Sequence, residues 1–419
     1  MKTMFLPFAL FILLLSACYK DGDGLLLFSL LLPQGSSTSC DSKATPYIGR
    51  LATEGHLPSV PLTDGSRVLF TLQNALYWHD LSKGQLLRKI ESPLAAKAFS
   101  YPDAIYRHGD LAVAASTSGL AVFNIKTGEL AWERFLGDCA INQGVFGVGN
   151  QYFVTRKITE RDGISAHAVF VGDLRDRERL DLLFTPSYSR SAHNWAGYGW
   201  ITALAPFTGA DGHAYLLTAF FEPTPDSYAL HNFLGLYDVT TRTWVYERRP
   251  IFGHSADTQT GIQHLVISGT TAQISVEDKV INWDLAKGTV RDSMVLSITA
   301  GYGPGYVTAH QLWANEQYII VLTNNGDVRV FDKTSRAVLY RIDQGSTTVR
   351  VAFDLNRLFV PTGGSVSVYE ISTGKKLETI RAPCEQFTEN LSACKDEQGA
   401  LQLAMEGGAG NIYRYMLQP

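Results

Sequence analysis

The sequence predicts an all-β protein, a β-propeller of eight blades, with seven as the alternative count. Three observations point there. Runs of alternating apolar residues recur along the chain, each ending in an acidic or amide residue and a short polar turn. The spacing of those turns is regular. No long helical periodicity interrupts them.

The turns follow Asp80, Asn124, Asp173, Asp238, Asp284, Asp332 and Glu370, so the gaps are 44, 49, 65, 46, 48 and 38 residues. Alternation with a period of two puts one side of a strand in a core. A carboxylate or amide before Thr-Gly or Lys-Gly favours a hairpin, because it bonds local backbone while glycine accepts positive φ. A repeat of about 40–50 residues built from about four strands is the pattern of a propeller. A truncated eighth copy lies at 410–417. Its outer strand is expected from the amino end, near Tyr47–Leu51, which would close the ring and leave no free sheet edge. Continuously apolar stretches precede the hairpins at 68–72, 111–115, 318–323 and 358–361. They are expected to be inner strands, buried on both faces and close to the axis.

The amino end sets location. Lys2 is followed by about a dozen apolar residues, the layout of a secretory signal and too short to span a bilayer. Leu15-Ser-Ala-Cys18 resembles the bacterial lipobox. The resemblance implies cleavage after residue 17 and a lipidated Cys18 as the first mature residue; a triacylated cysteine anchors stably. The alternative is an ordinary cleaved signal. Residues 18–46 then form a tether: a polar spacer, the apolar run 25–32 and a Ser/Thr-rich linker. The propeller domain is expected over 47–419.

The formal charge of -4 becomes -5 once Lys2 is removed, and no basic block exists, which argues against a nucleic-acid partner. Beyond Cys18 the cysteines are Cys40, Cys139, Cys384 and Cys394, an even number in an exported chain and consistent with two disulfides. The preferred pairing is Cys384–Cys394, a short loop, with Cys40–Cys139 joining linker to body. No CxxC or HxxxH spacing supports a metal site. Five of ten histidines (His193, His213, His231, His254, His264) crowd one region, but at irregular spacing, as turn and surface residues would. The sign-alternating stretch 173–181 is expected to be a solvated turn.

The 65-residue gap carries the best binding candidates. Tyr188, His193, Trp195, Tyr198 and Trp200 lie in one insertion, and Tyr228 lies in a second at 221–232. Long loops are often functional, and aromatic residues are favoured anchors for partners. The competing reading is a small private core over their own blade.

The pattern from Gly119 to Trp132, Gly-Leu-Ala-Val-Phe-Asn followed by Thr-Gly-Glu-Leu-Ala-Trp, resembles the repeat of pyrroloquinoline-quinone (PQQ) dehydrogenase-type propellers. The resemblance extends in degenerate form over 47–419. WD40 and Kelch dipeptides do not recur. The dehydrogenases hold their quinone with an adjacent cysteine pair; none occurs here, so no catalytic residue, cofactor or metal is carried over. A lipid anchor joined to a PQQ-like propeller is similar to the propeller lipoprotein of the outer-membrane β-barrel assembly machinery. That resemblance implies a binding scaffold, a monomer within an envelope complex. Tyr19, in place of the inner-membrane retention aspartate, points to the outer membrane. The alternative function is a hydrolase, lyase or small-ligand binder using the central mouth.

Overall fold

In the computed structural model, the described residues are the strands between 47 and 417 and most of the short turns within each sheet. The longer stretches outside them are 1–46, 52–61, 92–104, 137–143, 187–199, 224–229, 252–261, 297–306 and 344–350. Among the described residues 32 strands form eight four-stranded antiparallel sheets. Seven sheets use four consecutive strands each: sheet 1 spans 62–91, sheet 2 105–135, sheet 3 146–184, sheet 4 200–250, sheet 5 264–295, sheet 6 309–343 and sheet 7 352–381. Sheet 8 is assembled from both ends of the chain. Its strands Phe387–Lys395, Leu401–Gly407 and Ile412–Leu417 are completed by Tyr47–Leu51, which pairs antiparallel with the last of them. The expected amino-terminal closing strand is therefore present, as the outermost strand of sheet 8.

The sheets form a β-propeller. First strands of neighbouring sheets lie against one another from sheet 2 to sheet 6, from sheet 7 to sheet 8, and from sheet 8 back to sheet 1. The hydrophobic core is divided among the junctions. One cluster joins sheets 1 and 2 through Trp78, Ile90, Ala112 and Phe123; another joins sheets 4 and 5 through Leu217, Leu236, Ile274 and Trp283. Each sheet thus buries both of its faces, which no isolated sheet could do.

One expectation needs correcting. The continuously apolar stretches are second strands (Arg67–Leu72, Leu111–Ala115, Tyr318–Thr323 and Arg357–Thr362), not the innermost ones. They are apolar because a neighbouring sheet covers each face: Ala112, Val113, Ala114 and Ala115 are all buried. The innermost strands are less apolar; Ile105–His108 carries Arg107 and His108. The stretch 173–181 is also not just a turn, since Asp176–Phe184 is the fourth strand of sheet 3.

In sheets 2, 4, 5, 6 and 7 the turn after the third strand follows one rule. Asn124 Oδ1 accepts from Lys126 N and Thr127 N at 2.9 and 3.0 Å. Asp238 Oδ1 does the same for Thr240 and Thr241, and Asp332 Oδ1 for Thr334 and Ser335. Four residues after the acidic or amide residue the backbone is left-handed. Glycine fills that place at 128, 288 and 374, with φ of 79°, 63° and 71°; Arg242 and Arg336 occupy it at 58° and 64°. The Gly128, Gly288, Gly374 and Arg336 amides donate back to the carbonyl four residues earlier, closing the turn.

Eight residues after the acidic or amide residue, a fourth-strand side chain reaches the turn of the next sheet. Where the left-handed place is glycine, that side chain is large. Tyr246 packs on Gly288 and Tyr340 on Gly374. Where the left-handed place is arginine, the partner is aspartate: Asp181 with Arg242 at 2.9 Å, Asp292 with Arg336 at 3.0 Å. Trp132 Nε1 donates to Leu174 O at 3.0 Å, and Tyr340 OH to Ile371 O at 2.8 Å. These contacts tie the outer edges of neighbouring blades from sheet 2 through sheet 7.

Candidate functional site: the raised end of sheets 3 and 4

In sheets 1 to 7 the acidic or amide turns lie at one end of the strands, and the connections between sheets leave from the other. Sheets 3 and 4 are taller at that connecting end. The second and third strands of sheet 2 pair over Leu111↔Asn124 to Ala115↔Leu120, five rungs. Those of sheet 3 pair from Gln151↔Asp173 to Thr159↔Ser165, and those of sheet 4 from Tyr215↔Asp238 to Pro223↔Leu230, nine rungs each. Four extra rungs carry the hairpins about 13 Å further at ~3.3 Å per residue.

Trp200 pairs with Phe221, so the connection entering sheet 4 and the one leaving its second strand depart from the same edge. Both insertions singled out in the sequence are therefore attached to one place. Of their residues, Tyr188, His193, Trp195, Tyr198 and Tyr228 lie outside the described residues, and Trp200 is described by its backbone as the first residue of its strand.

The base of this raised end is built of aromatic residues and cations. Phe220 and Phe233 are buried and stacked across the strand pair, with ring centroids 5.7 Å apart. His231 stacks on Phe233, and the Arg248 guanidinium lies 4.3 Å from that ring's centroid. In sheet 3 the Arg156 guanidinium sits 4.9 Å from the Phe170 centroid and donates to Leu136 O at 3.0 Å. Burial, aided by Arg134, lowers the Arg156 pKa from its ordinary value. Asn232, itself buried, pins the chain on both sides of residues 252–261: its carbonyl accepts from Ile251 N at 3.2 Å, and its Oδ1 from Ile262 N at 3.1 Å.

Among the described residues the histidines do not assemble. His213 sits at the opposite, turn end and bonds Asp238 through Nδ1 at 2.9 Å, while His264 Nε2 meets His310 O at 2.7 Å. His193 and His254 lie outside the described residues. Among the described residues no group of three or more His, Cys, Asp or Glu is placed to hold a metal ion. Cys18, Cys40, Cys139 and Cys384 lie outside the described residues, and Cys394 is placed by its backbone pairing with Gln402.

No protein-family profile matches the chain, and no curated protein matches it. Solved structures do. The chain is similar to Sqt1 of Saccharomyces cerevisiae, with a TM-score of 0.64 and 10% identity over 89% of this chain and 99% of that one. It is similar to the computationally designed Ika8 protein at a TM-score of 0.59 and 15% identity, covering 88% of this chain and 100% of that one. BamB from Moraxella catarrhalis matches at 0.58 and 11% identity, over 88% of this chain and 99% of that one. At these identities the likeness is one of fold, and the fold is the β-propeller.

Proposed function

We propose that the protein is a bacterial envelope lipoprotein, anchored through Cys18, whose PQQ-like propeller is a protein-binding scaffold. The raised end of sheets 3 and 4 is its docking face. The observation that carries this is the attachment of both insertions of the 65-residue gap to one edge of the nine-rung hairpins, beside stacked rings and cations. The PQQ-like lineage is supported by Trp132, which in the Thr-Gly-Glu-x-x-Trp pattern docks on the next sheet. A place in outer-membrane protein assembly rests on the sequence resemblance, with which the fold likeness to BamB is consistent.

Three measurements test the parts separately. Mild crosslinking of the native lipoprotein should recover an envelope partner, and Trp195→Ala with Tyr198→Ala should lose it without lowering thermal stability. A large loss of stability instead would assign those rings to a private core. Mass spectrometry of the mature protein should find acyl chains on Cys18; an unmodified amino terminus ends the lipid anchor. Non-reducing peptide mapping should find Cys384 bridged to Cys394, and two free thiols there remove that disulfide.

A further inference from the structure

A cleft lies at the other end of the ring. Between sheets 1 and 2, at the turn end, a cleft of about 520 Å³ is lined by Arg67, Trp78, Leu87, Arg88, Arg107, Asp110, Ile125 and Lys126. Four cations therefore face one carboxylate. The floor is apolar: Trp78 and Ile125 are buried core residues of this junction, and Leu87 packs against them. The Arg67 guanidinium lies 5.3 Å from the Trp78 ring centroid. Arg107 Nε donates to Gly109 O at 3.1 Å, fixing its head beside the opening.

Among the described residues this junction departs from the outer-edge rule. The junctions that follow it, through to sheet 7, are each closed by a bond across the seam. These are Trp132 to Leu174 O, Asp181 to Arg242, Trp283 Nε1 to Tyr246 OH, Asp292 to Arg336 and Tyr340 to Ile371 O. Here the corresponding residue is Arg88. Its stem lies across Gly128, where an added Cβ would come within 2.4 Å of it. Its guanidinium makes no ion pair or hydrogen bond among the described residues, and Arg67 and Lys126 likewise form no ion pair there. The outer edge of the seam thus carries Arg67, Arg88 and Lys126 without an ion pair among the described residues.

We propose that this cleft binds a small organic oxyanion, a carboxylate or phosphate carried on an apolar body. Arginine forks match carboxylate and phosphate oxygens. The floor of Trp78, Leu87 and Ile125 receives the apolar part, and the exposed Arg88 and Lys126 stand at the mouth. The volume falls within the range of about 300–1,000 Å³ of small-molecule sites. The site is independent of the raised end and of any partner bound there.

Calorimetric titration of the purified protein with phenyl phosphate, benzoate and inorganic phosphate tests it. Saturable one-site binding of phenyl phosphate or benzoate is expected, tighter than inorganic phosphate and weaker at high salt. Which of the two binds more tightly assigns the oxyanion. Arg67→Gln and, separately, Lys126→Gln should each weaken it about three- to tenfold, the loss of one charge-assisted contact. Lys287→Gln, in the turn of sheet 5, should leave it unchanged. Lys126 is exposed on a turn, so its variant reports even if Arg67→Gln does not fold. Absence of binding by both organic anions, or binding that survives Lys126→Gln, overturns the site. Equal affinity for inorganic phosphate overturns the role of the apolar floor.

Discussion

Gly374→Ala isolates the rule that ties one blade to the next. Gly374 has φ of +71°, and a Cβ built on it would lie 2.6, 2.7 and 2.8 Å from Cγ, Cδ2 and Cδ1 of Tyr340. Two penalties are separable. Holding alanine in the left-handed region costs about 1 kcal/mol. Contacts that short lie about 1 Å inside the optimal carbon separation of about 3.5–4.0 Å, so the ring must move. It is held by its hydroxyl on Ile371 O at 2.8 Å. Overpacking of this kind costs roughly 1–3 kcal/mol, so the variant should lose about 2–4 kcal/mol in all. In a Tyr340→Ala background the ring is gone, and the same substitution should cost only the backbone part of about 1 kcal/mol. Urea titrations of the four proteins, followed by tryptophan fluorescence and circular dichroism to check that the two transitions coincide, give the coupling directly. A cost for Gly374→Ala that is equal in both backgrounds would show that the ring and the turn do not bear on each other.

Arg242→Gly should relieve a left-handed arginine while giving up an exposed ion pair, so its stability should equal or exceed the parent's by up to about 1 kcal/mol, whereas Asp181→Ala should cost under about 1 kcal/mol; paired urea midpoints decide. His79 is buried and its desolvation depresses its pKa from 6.5 to about 4. The unfolded chain therefore binds the extra proton first as pH falls. Stability is full above about 6.5 and drops towards pH 4, by up to about 3 kcal/mol, and His79→Leu should flatten that acid limb in pH-dependent urea titrations. His213 is raised above 6.5 by its bond to Asp238. Its contribution is full below its ordinary value and lost as pH rises through the raised one. A proton NMR titration should place His213 above 6.5 and return it towards that value in Asp238→Asn.

The sequence made most of this architecture legible because its turns are local. Asp332, Ser335 and Arg336 bond within one another's reach, so a repeating acidic residue marks each third strand without knowledge of the ring. The closing strand Tyr47–Leu51 could be read from the incomplete copy at 410–417. What misled was apolar continuity. It reports two covered faces, and in a ring of sheets the second strand has them while the innermost strand borders the central opening. Leu111–Ala115 and Ile105–His108 show the contrast. The cleft between sheets 1 and 2 was invisible for another reason. Arg67, Arg88, Arg107 and Lys126 look like ordinary surface charges, and only the ring brings them together. The one available sign was Arg88 at a repeat position held by Trp132, Tyr246 and Tyr340 elsewhere. The raised end was partly foreseen, from the length of its insertions; the nine-rung hairpins beneath them follow from distant pairing.

The pairing of Leu51 with Ile412 has a consequence for how the molecule comes into being. A ribosome delivers the first of these residues long before the second. Until residues 412–415 have been made, the early segment has no mate and the circle has a gap. Any protein that shields this short stretch during that wait would be shielding the latch, and a chain that stops before residue 412 would lose the catch that the latch was made for.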